Sequence, residues 1–197
     1  MSNPDLNHFR ALDRIWKYLN KYPNLGTYYI CNKAFLELLG YTDADWGGDI
    51  SSRKSTSGFL FLANNCIISW LSMLQKTIAL SSCEAEYMAF KEAIKEILYL
   101  YNLINYFNEF LNNKITPIPK LLIDSESALK LANNPEFHKR SKHIDISYHF
   151  IRNEIANKKL DLLYVNTTVQ LADGFTKGLD NNKQLKFISA LNLRPSV

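Results

Sequence analysis

A chain of 197 residues, 47% hydrophobic and 21% charged, is long enough for one packed domain with an appendage, and this composition excludes an intrinsically disordered polymer. Its 23 Lys and Arg against 19 Asp and Glu leave a net charge of +4, mildly basic, which is compatible with a phosphate-bearing partner without demanding one.

In chain order, residues 5–21 read as a helix. Phe9, Leu12, Ile15, Trp16 and Leu19 recur at helical spacing, and Pro23-Asn24 with Gly26 close the segment. Tyr28-Tyr29-Ile30 then reads as a strand. This opening stretch is expected to be an appendage rather than the start of the main fold. Three strands follow, at Leu38 to Trp46, Gly58 to Leu62 and Cys66 to Leu71, with Asn64-Asn65 as a hairpin turn between the last two. Connections this short require antiparallel pairing.

The spacing next predicts a long helix from Ser82 to Phe107, a strand from Lys120 to Asp124, and a short helix from Ser125 to Asn133 stopped by Asn134-Pro135. A helix from His143 to Asn157 carries Ile144, Tyr148, Ile151 and Ile155 on one stripe. Leu160 to Val165 reads as a strand, and residues 169–191 as helical with an interruption near Gly178. An antiparallel triplet followed by strand–helix units predicts an α/β fold with a mixed sheet and flanking helices. Its parallel strands bring their carboxyl ends to one edge, where α/β sheets bind ligands. Trp46 and Trp70 are expected in the core.

Cys31, Cys66 and Cys83 are scattered and show no C-x-x-C spacing, so neither a disulfide framework nor a structural zinc site is expected. The start Met1-Ser2-Asn3-Pro4-Asp5 is polar and acidic with no signal-type apolar core behind it. No apolar run approaches the roughly 18 residues that cross a bilayer. A soluble, intracellular protein with no membrane partner is expected.

Four acids fall where such a sheet would gather them. Asp43 sits in the first main strand, Glu86 in the first turns of the long helix, Asp124 at the end of the fourth strand, and Asp173 after the fifth. At 100° per residue Glu86 shares a stripe with Ala89, Ala93, Ile97, Leu100 and Ile104, whereas Glu84 points away. A carboxylate on an apolar stripe is costly unless it is paired or binds a metal. Each acid taken singly has a plainer reading: Glu86 as a helix-end residue reaching water, Asp124 as an N-cap, Asp173 as a first-turn acid favouring the helix dipole. Together they suit two divalent ions, which need several shared carboxylates. Strand alternation alone cannot separate Asp43 from Asp45, since both face one side.

At these residues the chain resembles the ribonuclease H domain of copia-class retrotransposon reverse transcriptases. The resemblance rests on Gly40-Tyr41-Thr42-Asp43-Ala44-Asp45-Trp46-Gly47-Gly48-Asp49, Arg53-Lys54-Ser55-Thr56-Ser57-Gly58, Ala79-Leu80-Ser81-Ser82-Cys83-Glu84-Ala85-Glu86-Tyr87, Lys142-His143-Ile144-Asp145-Ile146, and Leu171-Ala172-Asp173 with Thr176-Lys177. It implies a ribonuclease H-like fold with a five-stranded mixed sheet, three strands antiparallel and then two parallel. It implies hydrolysis of the RNA strand of RNA–DNA hybrids with two Mg²⁺ ions, Mn²⁺ being able to substitute. Asp43, rather than Asp45, is implied as the strand ligand, with Glu86, Asp124 and Asp173 as its catalytic and metal-binding companions. Residues 1–36 resemble the tail of the preceding reverse transcriptase and 37–197 the nuclease domain. A partner in the same polyprotein, and a cytoplasmic virus-like particle, are therefore implied. The sequence departs from cellular and retroviral relatives in the loop Asn166-Thr167-Thr168-Val169-Gln170, which lacks the His those relatives carry before the last acid.

Ser81 and Glu84 form an S-x-x-E capping box, and the backbone N–H groups at Ser81 and Ser82 make a candidate phosphate site. Lys139, Arg140, Lys142, His143, Arg152 and Lys177 are candidate nucleic-acid contacts. Two other readings compete. One is a catalytically inactive, domesticated or decayed nucleic-acid-binding module of the same fold, against which the retention of four acids argues. The other is an integrase- or resolvase-type nuclease, against which the copia-like segments argue.

Overall fold

The computed structural model describes residues 4–29, 36–112, 116–133 and 142–195, by backbone alone over 142–148. Lys139 and Arg140 lie outside the described residues. Helix α1 (Leu6–Lys21) is closed at its start by a reciprocal cap: Asp5 accepts from Asn7 N and His8 N, and Asp5 N donates to His8 Nδ1. Its apolar stripe, Leu6, Phe9, Leu12, Ile15, Trp16 and Leu19, is exposed. Strand β1 (Leu25–Thr27) precedes the Tyr28–Ile30 strand expected from the sequence. It pairs antiparallel with β7 (Leu193–Pro195), from the far end of the chain, while Tyr28 Oη donates to Pro195 O and Tyr29 Oη to Ile67 O. A partner so distant in sequence decides the register, and no local pattern announces it.

The main sheet has five strands in the order β4-β3-β2-β5-β6: β2 (Leu38–Asp45), β3 (Thr56–Ala63), β4 (Cys66–Leu74), β5 (Lys120–Ile123) and β6 (Asp161–Tyr164). β2–β3 and β3–β4 are antiparallel, and β2–β5 and β5–β6 are parallel. Asn64 and Asn65 turn the β3–β4 hairpin with φ of 50° and 65°, the left-handed pair that favours Asn in tight hairpins. The remaining helices are α2 (Ser82–Phe110), α3 (Glu126–Asn133), α4 (Lys142–Ala156), α5 (Asp173–Thr176) and α6 (Asn181–Ala190), with a 3-10 turn at Thr167–Val169. The 169–191 segment is interrupted around Gly178 as expected, but its opening residues are not α-helical. It is a turn and two helices, the second capped by Asp180, which accepts from Lys183 N.

Alternation along β3 divides the core between the sheet's two faces. Phe59 and Phe61 pack with Tyr87, Phe90, Ile94 and Ile97 of α2, and Ile151 of α4 joins them. Leu60 and Leu62 pack with Ala172, Phe175, Phe187 and Leu191 on the opposite side. Each large side chain buried this way contributes about 2 kcal/mol. Trp46 and Trp70 are not core residues: they are 55% and 60% exposed. Trp46 lies just past β2, where its indole donates to Ala79 O, and Trp70 lies on the edge strand β4. Among the described residues no helix is long and apolar enough to cross a membrane.

Candidate active site

β2 is the central strand, and its parallel register with β5 pairs Tyr41 with Leu122; two residues further on, that alignment sets Asp43 beside Asp124. Asp173 reaches the same place from the opposite direction, as the first residue of α5. Its approach depends on Gly58, which is paired with Asp43 on β3. A Cβ there would come within 2.6 Å of Thr176 Cγ2 and 3.3 Å of Ala172 O, so only glycine lets the α5 turn lie this close to the sheet.

One carboxylate oxygen from each of Asp43, Asp124 and Asp173 lies within 4.8 Å of the others. Asp43 is 3% exposed. The structure also separates it from Asp45, whose carboxylate packs against Gly48, where any Cβ would collide with it. Glu86 enters from α2, on the stripe of buried Ala85, Ala89, Ala93 and Ile97, and its carboxylate accepts from Ala44 N–H. Burial, then the charges of Asp43 and Asp124, push its pKa up to about 9. Burial likewise pushes Asp43 up to about 6, against the lowering effect of a hydrogen bond from Thr176 and the charge of Lys177. Both shifts come first from burial and then from the charges of the neighbouring acids.

Three residues that the sequence reading did not assign a place among the acids hold them. Thr176 Oγ1 donates to Asp43 Oδ2. Gln170 Nε2 donates to Thr42 O at 3.0 Å and to Asp124 Oδ1 at 3.5 Å. The Lys177 ammonium, expected to contact nucleic acid, lies 2.9 Å from Asp173 Oδ1 and 3.9 Å from Asp43 Oδ2. Burial works to lower the Lys177 pKa, but the hydrogen bond and charge of Asp173 with the charges of Asp43 and Asp124 outweigh it and raise it. The sequence signals for these contacts were the i,i+4 spacing of Asp173 and Lys177 and the place of Thr176-Lys177 in the last family segment.

The oxygen-only donor set is that of a hard divalent cation, and the contact of a lysine ammonium with two of the acids shows that the cluster accommodates positive charge. The other predicted contacts are dispersed. Ser81 caps α2 by accepting from Glu84 N, and Glu84 Oε2 accepts from Leu80 N rather than from Ser81 N, so the box closes one residue earlier than expected. Ser82, the first residue of α2, is exposed. Lys142 and His143 open α4. Arg152 is half-buried, and its Nη2 donates to Leu131 O in the last turn of α3.

No protein-family model matches the chain. Over 183 residues, 93% of this chain, it is 37% identical to the retrovirus-related Pol polyprotein from transposon TNT 1-94 of Nicotiana tabacum. Over 193 residues, 98% of this chain, it is 37% identical to the corresponding polyprotein from transposon RE1 of Arabidopsis thaliana. It spans 13% of the length of each. Among solved structures, the N-terminal RNase H domain of a Mycobacterium tuberculosis protein, fused to maltose-binding protein, aligns over 79% of this chain and 96% of its own, with a TM-score of 0.49 and 10% identity. The five-strand order and its mixed pairing are those of the ribonuclease H-like fold that the motifs imply, and sequence identity persists over nearly the whole chain. The chain belongs to the retrovirus-related Pol polyproteins of transposons, as a segment with that fold.

Proposed function

We propose that this chain is a ribonuclease H that hydrolyses the RNA strand of RNA–DNA hybrids during retrotransposon reverse transcription. The observation that carries the reading is the convergence of Asp43, Asp124 and Asp173 from three separate elements, with Glu86 electrostatically joined to two of them. Asp43, Glu86, Asp124 and Asp173 are the residues to hold two Mg²⁺ ions, or Mn²⁺ in their place. When bound, such ions supply positive charge to the phosphodiester and acidify the attacking water. The chain's own part is to keep four carboxylates assembled against their repulsion, and to bar bulk water from Asp43. The 2′-OH of the RNA strand is the feature that would distinguish it from DNA.

In this reading the α2 N-terminus at Ser81 and Ser82 meets a backbone phosphate. Lys139, Arg140, Lys142 and His143 supply basic contacts to the hybrid, and Lys177 an ammonium beside the acids. Arg152, turned to the end of α3, contributes less. Residues 1–36 are the tail of the preceding reverse transcriptase and 37–197 the nuclease domain, working inside the cell in the cytoplasmic particle of such elements.

The test is incubation with a labelled RNA–DNA hybrid and with double-stranded DNA, with and without Mg²⁺. RNA-strand cleavage that requires Mg²⁺, spares DNA and disappears in Asp43→Asn is expected. Equal activity of wild type and Asp43→Asn refutes the assignment, and hybrid binding with no cleavage by either protein favours the inactive module.

A further inference from the structure

We infer that Gln170 is the positioning residue of this site, a single buried amide against which three acids are set. Gln170 is 5% exposed. Its Nε2 donates to Thr42 O, the carbonyl immediately before Asp43, at 3.0 Å, and to Asp124 Oδ1 at 3.5 Å. Its Oε1 accepts at 3.2 Å from the N–H of Ala172, the residue before Asp173. One side chain therefore touches Asp124 directly, the carbonyl of the peptide that leads into Asp43, and the N–H of the residue before Asp173. Those acids come from β2, from the end of β5 and from the start of α5.

The chemistry of an amide suits the task. Both donors face oxygens and the acceptor faces an N–H, so a primary amide satisfies all three partners and leaves nothing charged in the interior. A carboxylate in its place would set oxygen against oxygen at Thr42 and Asp124. An apolar group would leave a buried carbonyl and a buried N–H without these partners. Gln170 also ends the loop that opens with Asn166 and contains the 3-10 turn, so it couples the seating of that loop to the spacing of the acids. Supporting residues of this kind typically govern metal affinity about 10- to 100-fold without touching the metal.

The inference rests on the metal-dependent reading above, and the experiment distinguishes failure of one from failure of the other. Mn²⁺ is titrated calorimetrically into metal-free wild type, Gln170→Met and Ile97→Val. Ile97 is a fully buried core residue of α2 whose shortening lowers stability without touching the acids. Gln170→Met is expected to bind Mn²⁺ at least about tenfold more weakly than wild type, with Ile97→Val unchanged. In hybrid cleavage, Gln170→Met should need correspondingly more Mn²⁺ for half-maximal rate while its KM for hybrid stays near that of wild type. Gln170→Asn keeps the amide but withdraws it by one methylene; it should show an intermediate loss and serves if the methionine variant does not fold. Wild-type Mn²⁺ affinity in both Gln170 variants overturns the inference, as does an equal loss in Ile97→Val, which would tie affinity to stability. Absence of Mn²⁺ binding by wild type overturns the metal-dependent reading instead.

Discussion

Replacing Glu86 by Gln should stabilise the metal-free protein while destroying its response to metal. In the unfolded chain this carboxyl titrates near 4.5; burial and the neighbouring charges of Asp43 and Asp124 raise it to about 9 in the fold. A raised carboxyl pKa means that the folded state holds a proton the unfolded state has released, so stability falls as pH climbs from 4.5 towards 9 and levels off above. At about 1.4 kcal/mol per pH unit, the interval from 4.5 to 7 costs the metal-free fold up to about 3 kcal/mol. Glutamine is neutral in both states and removes that cost. For a chain of this size, melts in EDTA at pH 7 should show a Tm higher on the order of 5–10 °C in Glu86→Gln. The gap should nearly vanish at pH 5 and widen towards pH 9. With Mg²⁺ the order should reverse, since wild type gains a ligand-linked stabilisation that the variant has lost. Glu84→Gln is the companion control. Its oxygen can still accept from Leu80 N, so stability and cleavage should stay close to wild type. A Glu86→Gln protein that melts lower than wild type in EDTA, or a gap that ignores pH, refutes the electrostatic account. An active Glu86→Gln beside a dead Glu84→Gln refutes the orientation of α2.

Lys177→Met removes the ammonium that partly neutralises Asp43 and Asp173. It should lower the metal-free stability, read from the thermal melt, by about 1 kcal/mol given the half-exposed position, and tighten Mg²⁺ binding several-fold in calorimetry; weaker binding refutes a counter-ion role. Thr167 and Thr168 are exposed in the 3-10 turn that stands where related nucleases carry a His, and Thr168 Oγ1 is occupied with Asn166 Oδ1 whereas Thr167 is the less disruptive site. Slow single-enzyme turnover by wild type and a gain of about tenfold in Thr167→His are expected in steady-state hybrid cleavage. No gain, with wild type already fast, shows that proton transfer does not depend on that loop.

Local chemistry was sufficient for most of the elements and for the orientation of α2. The Asn64-Asn65 hairpin, the closing of β5 before Asp124, and the apolar stripe that turns Glu86 inward while Glu84 caps the helix all follow from turn preference and periodicity, which act over a few residues. The same periodicity located α1 but could not say that its apolar side is left exposed, nor that β1 lies at Leu25–Thr27, because β7 supplies its partner from the opposite end of the chain. Trp46 and Trp70 read as core residues from their type alone; an edge strand and a strand-end turn leave them outside, and edge position is a property of the whole sheet. Period-two alternation could not choose between Asp43 and Asp45, and the resemblance selected Asp43; in the fold Asp45 lies against Gly48 while Asp43 meets Asp124, Asp173 and Thr176. Which carboxylates would converge depended on the parallel β2–β5 register and on the gap left by Gly58. Gln170 carried no signal of its own, since a buried amide reveals its partners only when strands distant in sequence are brought side by side.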